Sequence, residues 1–252
     1  MFDLSGKSAL ITGASGGIGA EIARVLHLAG ANVALSGTRV EPLEALASEL
    51  GARSFVLPCN LGDAEAVEAL PKAAVAAMGS VDILVNNVYQ IPNPPAMNKG
   101  FWEHPISVWD DQCGVGLRGY YAASVFAAPI MIRHQQGLIV NISSRGGREY
   151  VFSASYGVGK AGVDRMAQDF AIELKPHGVS AVSLSPSKVK TEFILEMVAE
   201  GKMSLDGGEA QSVRLSGRAV AALATDSALT ELSGHILTVT EVQNRYNLID
   251  PD

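Results

Sequence analysis

In the stretch "SASYGVGK", residues 153–160, a tyrosine and a lysine stand four apart, Tyr156 and Lys160. On a helix that spacing brings both side chains to one face. A free phenol ionises near pH ~10, too high for ready proton exchange at neutral pH. An ammonium group one turn away favours the phenolate and would draw the phenol towards the working range. Such a pair suits general acid–base work. Taken alone, it reads more simply as packing or as a solvated helix face.

The elements that must position the pair follow from the hydrophobic pattern. "SALIT" (8–12) reads as a strand, followed by a helix over 17–30 closed by Gly30. "NVALS" (32–36) is a second strand, 41–51 a second helix with Pro42 in its first turn, and "SFVLP" (54–58) a third strand. A helix over 63–78 and a fourth strand over 81–87 come next, then a proline-bearing loop, 88–105, that cannot be one continuous helix. A long helix is expected over 107–133, a fifth strand over 137–143, the helix carrying Tyr156 and Lys160 over 154–175, and a sixth strand over 179–185. A helix around 217–224 and a seventh strand over 236–240 close the pattern.

Apolar strands alternating with helices imply an α/β fold, doubly wound, with a seven-stranded parallel sheet covered by helices on both faces. No linker or internal repeat divides residues 1–252, so one domain is expected. In that architecture ligands sit at the carboxyl ends of the strands, where the winding reverses.

Composition narrows the partners. The chain of 252 residues is 48% hydrophobic and 18% charged, an ordinary globular balance. Its net charge of −7, with no basic run, argues against a nucleic-acid or anionic-membrane surface. Cys59 and Cys113 make no disulfide framework and suit a reducing compartment. The start, "MFDLSGKSALITG", has no signal-peptide pattern, and the apolar stretch 122–132, broken by Ser124 and Pro129, falls short of the ~20 residues of a membrane span. A cytoplasmic protein is expected. The five histidines are scattered and no His/Cys/Asp cluster has ligand spacing, so no metal is expected.

The first strand runs into "TGASGGIG", Thr12 to Gly19, with glycines at 13, 16, 17 and 19. This is not a strict G-x-G-x-x-G, but the physics is shared. A glycine turn lets backbone approach a ligand, and the following helix offers unpaired N–H groups to a pyrophosphate. The alternative is a tight turn that merely needs glycine.

"TGASGGIG", "NN" at 86–87, "SS" at 143–144 and "YGVGK" at 156–160, in that order and on those elements, resemble the short-chain dehydrogenase/reductases, over essentially the whole chain. The resemblance implies a Rossmann-type domain, a nicotinamide cofactor and a carbonyl or alcohol substrate, with a homo-dimer or homo-tetramer as the assembly. It implies Tyr156 as proton donor and acceptor, Lys160 as the group that tunes it and holds the ribose, and a serine that holds the carbonyl oxygen. Ser144 is preferred for that serine because "RGG" follows it; Ser143 has the commoner spacing. The cofactor residues implied are Gly13, Ser15, Gly17, Ile18, Gly19, Thr38, Arg39, Asn60, Leu61, Asn87, Tyr156, Lys160, Pro186, Val189 and Thr191.

The chain departs from the family in three places. Gly116 stands where many members have an asparagine that serves a proton relay, "NNVY" replaces Asn-Asn-Ala-Gly, and Pro186 is followed by Ser187 instead of glycine. The end of the second strand, "LSGTR", carries Arg39 and no acid, which suits a ribose 2′-phosphate, so NADP(H) is preferred and NAD(H) is the alternative. Gly16 stands where NADP-preferring members often carry a cation. Trp102, Trp109 and Tyr89 either line a substrate pocket or anchor the loop, and 190–213 falls where the family keeps a lid. Its Met and Leu residues hint at an apolar substrate. The reading from another class is a dinucleotide-binding regulatory or scaffold protein without catalysis, motivated by Gly116 and "NNVY".

Overall fold

The computed structural model describes residues 2–92, 99–202, 204–205 and 210–250. Seven strands form one parallel sheet in the order β3-β2-β1-β4-β5-β6-β7. They are β1 (Ser8–Thr12), β2 (Asn32–Ser36), β3 (Ser54–Val56), β4 (Ile83–Asn86), β5 (Gly137–Ile142), β6 (Val179–Ser185) and β7 (Ile236–Thr238). The chain winds outward from β1 to β3, returns to β4 on the other side of β1, and continues to β7. The reversal puts a crevice at the carboxyl ends of β1 and β4.

The five inner strands are buried on both faces, with all seven residues of β6 buried, while the edge strands β3 and β7 are half-buried. Helices α1 (Gly17–Leu28), α2 (Val40–Leu50), α8 (Val213–Thr225), α9 (Leu229–Leu232) and α10 (Val239–Tyr246) cover one face, through Ile22, Leu26, Leu43, Val220 and Val242. Helices α3 (Ala64–Met78), α5 (Gly119–His134) and α6 (Ala154–Leu174) cover the other, through Val67, Leu70, Ala127, Met131 and Leu174.

The long helix expected over 107–133 is present but not uniform. A short α4 (Ser107–Trp109) runs into a π-helical segment, Asp110–Arg118, and then into α5. The segment holds Gly114 and Gly116, which impose no side-chain restraint on the wider winding. By length and composition Ser107–His134 would be long enough to cross a membrane, beyond what the uninterrupted apolar run suggested. The fold instead uses it as a sheet cover, with Tyr120, Ala123, Ser124 and Met131 buried.

The last strand stops at Thr238 rather than 240. Thr238 caps α10, accepting from Glu241 N while the Glu241 carboxylate accepts from Thr238 N. Within the expected lid, Glu192–Ala199 is a helix, α7, and Val189 pairs with Gln211. Residue 203 and residues 206–209 of that segment, and residues 93–98 of the loop, lie outside the described residues.

Candidate active site

Helix α6 begins with Ser153, whose Oγ accepts from Tyr156 N at 3.2 Å. That cap sets Tyr156 in the first turn and Lys160 in the next, both below 10% exposed. After β5 the chain enters a 3₁₀ turn, Arg145–Gly147, at whose start the Ser144 Oγ accepts from Gly146 N at 2.9 Å. Ser144 and Tyr156 share one cavity wall, where the serine hydroxyl lowers the pKa of the phenol. Ser143 turns away: it is buried, and its Oγ donates to the Lys160 carbonyl at 3.5 Å. Of the two serines, Ser144 is the one brought to the tyrosine.

The electrostatics differ from the expectation drawn from spacing. Burial raises Tyr156 above its ordinary value, more than the Ser144 hydrogen bond and the Arg145 charge lower it. Burial lowers Lys160 to about 8, with the Asp164 carboxylate pulling it back up. The Lys160 ammonium donates to the Ile142 carbonyl at 2.9 Å. Desolvation outweighs the help that a neighbouring cation was expected to give the phenol.

The glycine turn is built for close approach. A Cβ on Gly19 would stand 2.2 Å from the Gly13 carbonyl oxygen, so only glycine lets α1 start there. Asn87 ties β4 to this turn, its Nδ2 donating to the carbonyls of Thr12 at 3.2 Å and Gly13 at 3.1 Å. Gly16, at the start of α1, supplies no side-chain cap, so the first N–H groups of the helix face outward unpaired by a side chain.

A groove of about 840 Å³ runs over this turn. Gly13, Ser15, Gly17, Thr38, Arg39 and Asn60 line it. Leu61, Asn87 and Thr191 line it further along, and Gly19 is buried in α1. Arg39 donates from Nη2 to the Ser15 carbonyl at 2.9 Å, and no carboxylate pairs with it among the described residues. These features fit a dinucleotide: open N–H groups for a pyrophosphate, an exposed guanidinium beyond β2 and apolar Leu61 against a base.

An adjoining cavity of about 460 Å³ holds Ser144, Tyr156, Lys160, Ile18, Pro186 and Val189 in its wall. Asn87, Tyr89 and Thr191 border both spaces, so the two are continuous. The outer wall is apolar, with Ile91, Val151, Phe152, Phe193 and Leu205. Phe152 sits at φ +61°, a strained position for a non-glycine residue, with its ring edge-on to Tyr156 at 5.2 Å. Trp102 and Trp109 do not line the cavity; they are 76% and 44% exposed, and Tyr89 takes the wall position.

Two residues here carry no sequence signal. Gln211 pins the lid base, donating from its backbone to the Lys188 carbonyl at 2.8 Å and accepting from Ser187 N at 3.2 Å. Gln112, from the π-helical segment, reaches Tyr89 and Ser153. No group of three or more His, Cys, Asp or Glu residues that could hold a metal occurs among the described residues.

A dinucleotide groove at the switch point, continuous with a Ser-Tyr-Lys wall, defines a class, and comparison with known proteins shows the same one. The short chain dehydrogenase family matches residues 7–200, and the chain belongs to that family. It is 42% identical over 266 aligned positions to Dehydrogenase/reductase SDR family member 1 of Mus musculus, covering 99% of this chain and 84% of that one. The Homo sapiens protein of the same name is 41% identical over the same shares. Nodulation protein G of Rhizobium sp. (strain N33) is 38% identical over 76% of each chain. A crystal structure from Sinorhizobium meliloti 1021, described as a candidate short-chain alcohol dehydrogenase, superposes with a TM-score of 0.82 at 28% identity, covering 94% of this chain and 96% of that one. The protein is thus an oxidoreductase acting on CH–OH groups of donors, in a family that uses NAD(P).

Proposed function

We propose that this chain interconverts a carbonyl and a secondary alcohol with NADP(H), using Tyr156 as general acid and base. The observation that carries the reading is Ser144, Tyr156 and Lys160 together in the wall of an apolar cavity that opens, past Asn87, Tyr89 and Thr191, into the groove over the glycine turn. The nicotinamide supplies or accepts the hydride. Ser144 holds the substrate oxygen beside the phenol, and Tyr156 gives that oxygen its proton in reduction and takes it in oxidation. Lys160 holds the ribose hydroxyls and, once charged beside them, favours the phenolate. The apolar wall excludes water and fits an apolar carbonyl compound.

Arg39 supports NADP(H) over NAD(H), since a guanidinium suits a 2′-phosphate and the β2 end offers no carboxylate for a free 2′-hydroxyl. We read the chain as one dinucleotide-binding domain, with the described parts of 88–105 as a substrate loop and of 190–213 as a lid. Tyr121, Val125 and Ile172 are exposed on the outer faces of α5 and α6, which suits a second copy of the chain and a homo-dimer or homo-tetramer. Cys59 and Cys113 are free and buried, which suits the cytoplasm.

The test is oxidation of NADPH and of NADH with a panel of ketones, aldehydes, quinones and steroids, for the native protein and Tyr156→Phe. The native protein should oxidise NADPH with at least one apolar carbonyl, and the variant should bind NADPH and turn over at least about a hundredfold more slowly. A Tyr156→Phe protein as fast as the native one would end the assignment.

A further inference from the structure

Tyr89 and Gln112 have no part in the mechanism above, yet they touch the residues that do. The Tyr89 ring stands edge-on to that of Tyr156, centroids 5.5 Å apart at 85°. The same ring lies 5.9 Å from the Lys160 ammonium, with Tyr120 at 5.8 Å. The Tyr89 hydroxyl accepts from Gln112 Nε2 at 3.1 Å. Gln112 is 4% exposed, and its Oε1 accepts from Ser153 Oγ at 3.1 Å and from the hydroxyl of Ser155. Ser153 is the cap of α6. One buried carboxamide therefore joins Tyr89 to the first turn of the helix that carries Tyr156 and Lys160.

Tyr89, Gln112, Gly116, Tyr156 and Lys160 border one small void. Gly116 brings no side chain to it, and a Cβ there would meet nothing within 4 Å. Tyr89 itself is 38% exposed at the cleft mouth, so its ring is the partition between this void and the open groove.

We propose that Tyr89, held by Gln112, is a positioning residue for the Tyr156–Lys160 pair: its ring fixes the phenol edge-on and covers the ammonium against water. The proposal rests on the roles given to Tyr156 and Lys160 above. A centroid separation of 5.5 Å falls within the preferred edge-to-face range. The 5.9 Å to Lys160 is at the outer limit of cation–π attraction, so covering outweighs direct attraction there. The other groups around Lys160 are Tyr156 and Asp164 on α6, Tyr120 on α5 and the Ile142 carbonyl at the end of β5; Arg145 faces Tyr156, and Cys113 lies over Gly159. Burial is the largest influence on Lys160, so opening its cover moves its titration upward from about 8.

The test compares native protein, Tyr89→Phe, Tyr89→Ala and Tyr156→Phe, all full-length. Turnover is read with NADPH and one responsive ketone, and Lys160 is titrated by NMR of ¹³Cε-lysine, its signal assigned by its loss in Lys160→Met. Tyr89→Ala should lower kcat about tenfold or more, with a smaller rise in KM and a larger solvent deuterium isotope effect. Its Lys160 midpoint should rise by about half a pH unit or more. Tyr89→Phe keeps the ring, loses the tie to Gln112, and should fall between the native protein and the alanine variant in kcat. A native kcat in Tyr89→Ala, or a Lys160 midpoint that stays or falls, overturns the proposal. If Tyr156→Phe turns over normally, the catalytic assignment fails instead, and the Lys160 midpoint still decides whether Tyr89 covers the ammonium.

Discussion

The backbone of Gly146 lies against the ring of Tyr156: a Cβ on Gly146 would stand 2.5 Å from Cε1 and 2.8 Å from Cδ1. The turn that holds Ser144 and the Tyr156 ring therefore share a wall one methyl group too thin for any other residue. Gly146→Ala must displace the ring or the turn. We expect kcat/KM to fall about 10- to 100-fold, with NADPH affinity nearly unchanged because the groove lies elsewhere. Steady-state kinetics and NADPH fluorescence titration check this; equal losses in both would contradict it.

Lys160 carries a pH signature in the cofactor-free protein. Its folded pKa is lowered to about 8 from an ordinary 10.5, so between those values the unfolded chain binds the proton more readily. Stability from this group rises as pH climbs through that window, and the full cost is present below it. At about 1.4 kcal/mol per pH unit, the cost is at most about 3 kcal/mol. Lys160→Met should exceed the native protein in stability at pH 7, less what the lost bond to Ile142 takes back, and the gap should close by pH 10.5. Urea unfolding at both pH values gives the difference, and a gap that widens with pH would refute the sign.

Arg39 touches only Ser15 among the described hydrogen-bonding partners, through the carbonyl at 2.9 Å and Oγ at 3.4 Å. Its guanidinium is thus available at the groove edge. Arg39→Ala should weaken NADPH by about 10- to 100-fold and leave NADH within about threefold. Parallel Kd measurements decide it; equal weakening of both would show that Arg39 does not read the 2′-phosphate.

Glu192 sets a negative charge beside the glycine turn. Its Oε2 would be 3.6 Å from a Cβ on Gly17, close to the helix N-terminus assigned to the pyrophosphate. Glu192→Gln should tighten NADPH about two- to fivefold, with the gain shrinking at high salt. An unchanged Kd at low salt would show that the carboxylate swings clear before the cofactor enters.

The strand–helix alternation, the glycine turn and the Tyr156–Lys160 spacing were legible because each is a local pattern. Apolar runs as short as "NVALS" can only be strands when buried on both faces, and one helical turn brings residues four apart together whatever surrounds them. The end of β7 was misread by two residues, although Thr238 and Glu241 carry the spacing of a capping box. Alternation of apolar residues extends the strand on paper, while the cap stops it in the fold. The π-helical segment and α7 were not legible. In the first, Gln112 bonds to Ser153 and Ser155 at the start of α6, and the chain leading into α7 is held by Gln211; both are contacts between separate elements.

The amino-acid order alone determined the sheet, the glycine turn and which tyrosine and lysine share a face. Only the tertiary structure decided that Ser144, not Ser143, meets the phenol, that Tyr89 and Gln112 flank the pair, and that Tyr156 is pushed up and Lys160 down. The physical reason is desolvation. Spacing along a helix fixes which groups are neighbours, but the water removed from them depends on every other element that closes over the site.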